Sequence, residues 1–298
     1  MNKTVLQLIR HRLFKRLTAT LFTACVFGSA HHLLSKESTA DNNLSNYKVS
    51  KFITVESIKG DLSGLALSPE ENTLFAIEST HSHLVEINMD GELIRHIDLI
   101  NFNDAEDIVH ITGSNYLIIQ ERNRTVTWVH IDKSTKTLDA DNFAHSSMKT
   151  HLGNNRGFEG IAWSPVFGAW VANEKNPADI YHLTPITEQI EPNTPLTEEN
   201  IGSTLFEASG FEIKGVKDIS ALYADDAQRR LLVVSDESRK LLSISYQSGE
   251  VIESLSLEQG RTPFTHFLEN PEGITMDRER RIYIAGEPNR IMVLEPGL

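Results

Sequence analysis

A pattern of short apolar runs recurs five times along this chain, and that recurrence limits the fold more than any other property of the sequence. The first run of each unit is Ser63-Gly64-Leu65-Ala66-Leu67, Glu106-Asp107-Ile108-Val109-His110, Glu159-Gly160-Ile161-Ala162-Trp163, Asp218-Ile219-Ser220-Ala221-Leu222 and Glu272-Gly273-Ile274-Thr275-Met276. After a polar turn, a second run ends in an acid: TLFAIE at Glu78, YLIIQE at Glu121, AWVANE at Glu174, LLVVSDE at Glu237 and IYIAGE at Glu287. A third run follows in each unit (HLVEIN, TVTWVHI, DIYHLT, KLLSISY, RIMVLE), and some units add a fourth, as in LIRHIDL and VIESLSL. The step from the first-run acid position to the second-run Glu is 15 residues in four units and 19 in the other.

Four short strands repeated every 43 to 60 or so residues predict an all-β fold, a single β-propeller of four-stranded blades around a central channel. An alternating strand-helix fold would need stretches of 10 to 15 residues with a period near 3.6, and none follows residue 34. The repeat count gives five blades. The long interval 185–217, with Pro185, Pro192, Pro195 and a strand-like run from Leu205 to Ile213, leaves room for a sixth. The last unit has only three runs before the chain stops, while residues 47–58 (YKVSKFITVESI) form a strand-like segment with no blade of their own. That segment is expected to supply the missing outer strand and close the ring, because an open stack would leave exposed sheet edges.

The N-terminal part reads as an address. Lys3, Arg10, Arg12, Lys15 and Arg16 precede an apolar run from Leu17 to Ala30 that ends in small residues. This is the order of a secretory signal, and the run is short for a spanning helix of about 20 residues. Residues 1–34 are thus expected to be a signal peptide or membrane anchor, and 35–46 a polar tether to the propeller domain at 47–298. Thr23-Ala24-Cys25 resembles the end of a lipobox, but the apolar run continues past the cysteine. This reading places the domain in the cell envelope, with the membrane contacted through the N-terminal segment only. With one cysteine, neither an intrachain disulfide nor a CxxC centre can form.

Charge sharpens the picture. The chain has 41 acidic and 28 basic side chains, and five of the basic ones lie in an acid-free first thirty residues, leaving the remainder near −18. No basic stripe exists there, which excludes a nucleic-acid partner. The repeat places Glu106, Glu159, Asp218 and Glu272 at one equivalent position beside the channel, with Ser63 in the first unit. It places Glu78, Glu121, Glu174, Glu237 and Glu287 at another. Two carboxylates about 5 Å apart at an effective dielectric of 20 repel by roughly 3 kcal/mol, so such a ring needs compensation. A hard divalent cation such as Ca²⁺, bound by six to eight oxygens, is one source. Basic neighbours (Arg122, Arg124, Arg156, Lys175, Arg239, Lys240, Arg290) and backbone N–H groups of adjoining blades are others. The second-run acids, present in every unit, read mainly as blade-locking groups. For the first-run set the alternatives are cation or ligand binding and a solvated acidic channel.

His81 and His83 (THSH) follow Glu78, and His151 precedes the third unit; loop histidines such as these are more often solvated than catalytic. Trp128, Trp163 and Trp170 read as blade core. No HExxH, P-loop, GxSxG or GxGxxG element occurs.

At GFEGIAW (157–163), VKDISALY (216–223), NPEGITMD (270–277) and the turns ERN, EKN, ESR and EPN that follow the second runs, the chain resembles the SdiA-regulated family of bacterial envelope β-propellers. The resemblance spans residues 47–298 and implies a periplasmic or inner-membrane propeller, linked in some members to calcium response, with no settled enzymatic activity. The expected function is a non-enzymatic envelope propeller whose acidic channel binds Ca²⁺ or a small ligand and acts in calcium response or as a scaffold for an envelope protein partner. The alternative is a Ca²⁺-dependent hydrolase of phytase or lactonase type, with the metal polarising a phosphate or lactone ester and Arg156 or His151 beside it.

Overall fold

The computed structural model describes residues 43–147, 157–186, 205–258 and 268–297. They form twenty-one strands in five sheets, and the only helical pieces among them are three-residue 3-10 turns. Strand β1 (Lys48–Thr54) comes first in the chain but belongs to the last sheet. The first blade contains β2 (Leu62–Ser68), β3 (Thr73–Glu78), β4 (His83–Ile87) and β5 (Leu93–Ile100). The second has β6 (Ala105–Thr112), β7 (Asn115–Gln120) and β8 (Thr125–His130); then β9 (Thr137–Asp139) returns to pair in parallel with β5, and β10 (His145–Ser147) completes the second sheet. The third blade is β11 (Phe158–Ser164), β12 (Gly168–Asn173), β13 (Asp179–Ile186) and β14 (Leu205–Glu212); the fourth is β15 (Ala221–Asp225), β16 (Arg230–Ser235), β17 (Lys240–Ser245) and β18 (Val251–Ser256). The fifth holds β19 (Glu269–Met276), β20 (Ile282–Glu287) and β21 (Arg290–Glu295).

Five blades are therefore present, and the run near residue 205 is the outer strand β14 of the third blade rather than the seed of a sixth. The innermost strands β2, β6, β11, β15 and β19 touch in a closed cycle, β19 against β2 included. Burial follows from this geometry. Strands β2 and β3 are buried at every position because neighbours cover both faces, whereas the outer β18 is largely exposed. Runs of Leu, Ile and Val suit the inner strands for the same reason, and adjacent blades pack their apolar faces together, as Phe75 and Ile77 do with Tyr116 and Ile118.

Closure is achieved by β1, antiparallel to β21 from Lys48 opposite Glu295 to Thr54 opposite Arg290. The chain beyond β1 is clasped too: Asn289 donates from Nδ2 to the carbonyls of Val55 (3.1 Å) and Ile58 (2.7 Å), and Val55 N–H donates to the Asn289 carbonyl (2.9 Å). Tyr47 donates its hydroxyl to the Arg280 carbonyl, and Leu44, fully buried, packs with the fourth and fifth blades, so the fold begins inside the segment expected to be tether. Between the fourth and fifth blades, buried Asp225 accepts from Arg230 Nε at 2.9 Å and from both terminal nitrogens of Arg280 at 2.7 and 2.6 Å.

The closing segment buries Ile53, Val55 and Ile58, together worth about 5–9 kcal/mol, comparable to the whole net stability of a domain, about 5–15 kcal/mol. A chain lacking residues 47–58 is expected to lose its single cooperative transition in thermal melting followed by circular dichroism. Unchanged melting would refute closure by this strand.

Candidate functional site

At the entrance of the five inner strands, acids from neighbouring blades meet. The cross-strand register defines which positions are equivalent. Ile161 lies opposite Val171, Ile108 opposite Ile118, Leu65 opposite Ala76, Leu222 opposite Val233 and Ile274 opposite Ile284. Counting back two residues from the first member of each pair gives Glu159, Glu106, Ser63, Ser220 and Glu272. Counting forward three from the second gives Glu174, Glu121, Ser79, Asp236 and Glu287.

This register revises the alignment by spacing in two blades. In the fourth, Ser220 occupies the channel position and Asp218 does not: its buried carboxylate accepts from Ser235 Oγ and from the backbone N–H of Glu237 at 3.1 and 3.2 Å. The outer acid there is Asp236, not Glu237. In the first blade, Glu78 sits at the position of buried Gln120, Asn173 and Ser235, and is itself 4% exposed. The cause is turn length. Ser68 pairs with Thr73 and Asp225 with Arg230 across four-residue turns, whereas Ser164 pairs with Gly168 across three. One extra residue moves each following acid by one position.

The inner ring is thus Ser63, Glu106, Glu159, Ser220 and Glu272. Ser63 lies between two of the acids, its hydroxyl 3.5 Å from Glu272 Oε2 and also against Glu106. Outside the ring stand Glu121, Glu174, Asp236 and Glu287. One further acid, Asp104, stands two residues before its ring residue, the position of Asp61, Asp218 and Asn270 in other blades, and the alignment of first-run acids passed over it. Its left-handed backbone (φ 60°) turns the chain just before β6, and its carbonyl accepts from Glu121 N–H at 2.8 Å. Asp104, Glu106 and Glu121 each offer an oxygen, all within 4.8 Å of one another. Gly157 closes over this group, since a Cβ there would lie 1.7 Å from Glu121 Cγ.

Among the described residues, the basic partners of these acids stand at the periphery. Arg122 Nε meets Asp104 at 2.7 Å, Lys175 Nζ bridges Glu174 (2.6 Å) and Glu237 (3.3 Å), Arg239 meets Asp236 at 3.1 Å, and Asn270 donates to Glu287. The three inner glutamates meet one another and, for Glu106 and Glu272, the Ser63 hydroxyl. Burial, reinforced by Asp104 and Glu121, pushes Glu106 up to about 7. Burial and then Glu106, Glu121, Glu174 and Glu272 push Glu159 to about 9. Glu272 rises to about 8 through burial and then Glu287, Glu106 and Asp236. Glu121 and Asp236 are also raised, chiefly by burial.

Immediately below the ring the blades are locked by a different acid. Asp107, buried on β6, accepts from Ile108 N–H (2.8 Å), from Ile161 N–H of the third blade (2.9 Å) and from Leu65 N–H of the first. Its neighbour must be glycine: a Cβ on Gly64 would stand 2.3 Å from the Asp107 carboxylate. Further down, the channel is mostly apolar, a cavity of about 220 Å³ bounded by residues such as Leu65, Val109, Ile111, Trp163 and Tyr223. Trp128 and Trp170 are buried blade core, whereas Trp163 lines this cavity. Arg156 and His151 lie outside the described residues. His81 and His83 both contact Glu78.

The raised values have a defined consequence for stability. An unfolded glutamate titrates near 4.5, so between that pH and about 9 the folded state holds protons that the unfolded state has lost, and stability falls as pH rises through this window. In chelator-treated protein the Tm is expected to decline from pH 5 to pH 9. Glu159→Gln should leave it nearly unchanged at pH 5 and raise it at pH 9; an equal effect at both would refute the assignment.

Comparison with solved structures places this geometry on a widespread scaffold. The chain is similar to a luciferin-regenerating enzyme (8% identity, TM-score 0.51, covering 83% of this chain and 97% of that one). It is also similar to the glutaminyl cyclase of Myxococcus xanthus (11%, 0.54, 84% and 95%) and to the PQQ-bound aldose sugar dehydrogenase of Streptomyces coelicolor (9%, 0.51, 84% and 97%). At these identities the likeness is one of fold. The family model described as SdiA-regulated matches residues 40–295, nearly the whole propeller, and with its five blades and EGI-type inner strands this chain belongs to the SdiA-regulated family.

Proposed function

We propose that the acidic channel entrance binds a divalent cation, Ca²⁺ by the chemistry of its ligands, and that the protein is a non-enzymatic, cation-responsive propeller of the cell envelope. The observation that carries this reading is a contrast within the molecule. Buried Glu86, Asp225 and Asp277 each face a guanidinium, with Arg95, Arg230 and Arg281 at 2.6, 2.9 and 2.6 Å, whereas Glu106, Glu159 and Glu272 converge on one another. Two charges 4.8 Å apart at an effective dielectric of 20 cost roughly 3.5 kcal/mol, and a cation between them reverses the sign. Asp104, Glu106 and Glu121 supply oxygens close enough for a shared ion, with Glu159 and Glu272 beside them. An all-oxygen, multi-carboxylate set suits Ca²⁺, which accepts six to eight oxygens in irregular geometry.

A phosphate hydrolase would need cations facing the metal. The described Arg122, Lys175 and Arg239 are held by carboxylates instead, which favours binding over hydrolysis. The basic, apolar N-terminal segment supports placing the domain in the envelope.

Calorimetric titration with Ca²⁺ is the direct test. At one hundred times its Kd the ion should add about 2.7 kcal/mol, a Tm rise of roughly 5–10 °C for a domain of this size. Glu106→Gln with Glu159→Gln should abolish that rise while leaving the metal-free fold intact. No saturable binding at millimolar Ca²⁺ would refute the reading.

A further inference from the structure

The outer strands of the first blade carry a second group of ligating side chains with different chemistry. Glu78 at the end of β3 lies opposite His83 on β4, and His83 opposite Asp98 on β5, so the three share one face of the blade. His96, two residues before Asp98, falls on the same face. Glu78 contacts His81 Nδ1 through Oε1 at 3.0 Å and His83 Nδ1 through Oε2 at 3.3 Å, while His83 Nε2 is 3.4 Å from Asp98. The rings of His83 and His96 stand edge to face with centroids 5.4 Å apart. One oxygen of Glu78 and one ring nitrogen each of His83 and His96 all lie within 4.8 Å of one another.

We propose that Glu78, His83 and His96 form a transition-metal site, for Zn²⁺ by donor type, separate from the acidic channel entrance. Two imidazole nitrogens with one carboxylate match the three-ligand zinc set that leaves a fourth position for water or a further residue. His81 meets the same carboxylate, and Asp98 stands at His83 Nε2. In a tetrahedral shell with bonds of ~2.1 Å, ligand atoms are about 3.4 Å apart, so atoms already within 4.8 Å need only small side-chain movements. Nitrogen donors select Zn²⁺ over Ca²⁺, which prefers oxygen alone.

Electrostatics points the same way. Glu78 is among the most buried acids of the chain, and its carboxylate faces histidines where Glu86, Asp225 and Asp277 face arginines. The backbone at Gly60 backs onto it, since a Cβ there would lie 2.7 Å from Glu78 Oε1. Gly60 belongs to the link between closing strand β1 and inner strand β2, so the ion would join β3, β4 and β5 beside that link.

The test is calorimetric titration of the full, tag-free chain with Zn²⁺ in millimolar Ca²⁺, which occupies the channel acids. One Zn²⁺ per chain is expected, and His83→Ala and His96→Ala should each weaken it at least about 10-fold. Co²⁺ should bind in the same place and give the visible absorption of a low-coordinate cobalt centre, lost in both variants. Glu106→Gln should leave Zn²⁺ binding unchanged, so loss of Ca²⁺ binding and loss of this site are told apart. If His83→Ala lowers the metal-free Tm, exposed His96→Gln carries the comparison. Wild-type Zn²⁺ affinity in the His96 variant, or no saturable binding by the wild type, overturns the proposal.

Discussion

Every other property of this molecule depends on the pairing of β1 with β21. Five blades bury their inner strands only if the ring closes, because a fifth blade of three strands would leave β21 unpaired and the stack open at that edge. Closure by the first strand of the fold joins contacts distant in sequence, and Asn289 and Tyr47 extend the joint on both sides of β1. The closed cycle of five inner strands sets the radius of the channel, and hence how near their first residues come to one another.

That radius gives the acidic entrance its character. Carboxylates spread over an open sheet would be hydrated and inexpensive; buried together, they lose hydration and then raise each other's proton affinity, and of the three inner glutamates Glu159, with four acidic neighbours, is raised most. Asp107, one residue from Glu106, shows the alternative outcome for a buried acid. It receives backbone N–H groups from its own and both neighbouring blades and serves as a lock, with Gly64 making the room. Adjacent residues on β6 thus divide the work between holding blades together and presenting negative charge.

Glu78 shows how one inserted turn residue redirects a side chain. The four-residue turn between β2 and β3 shifts it off the outer ring into the blade, where it meets His81 and His83. The same insertion in the fourth blade leaves Asp236 on the ring and Glu237 beyond it, bridged to Lys175. The propeller therefore departs from fivefold symmetry in its acids while keeping it in its backbone.

By itself, the sequence determined the strand-rich repeat, a count of five blades with room for a sixth, and the closing role of the N-terminal segment, because alternation, turn residues and unit length are local properties. It also located the acids to within a residue or two. Only the tertiary structure decided that Ser220 and not Asp218 faces the channel, that Asp104 joins Glu106 and Glu121, and that His96 meets His83 from another strand. The reason is register: a strand's side chains alternate between faces, so a one-residue difference in a turn sends an acid to the opposite side, and constant spacing along the chain cannot reveal it.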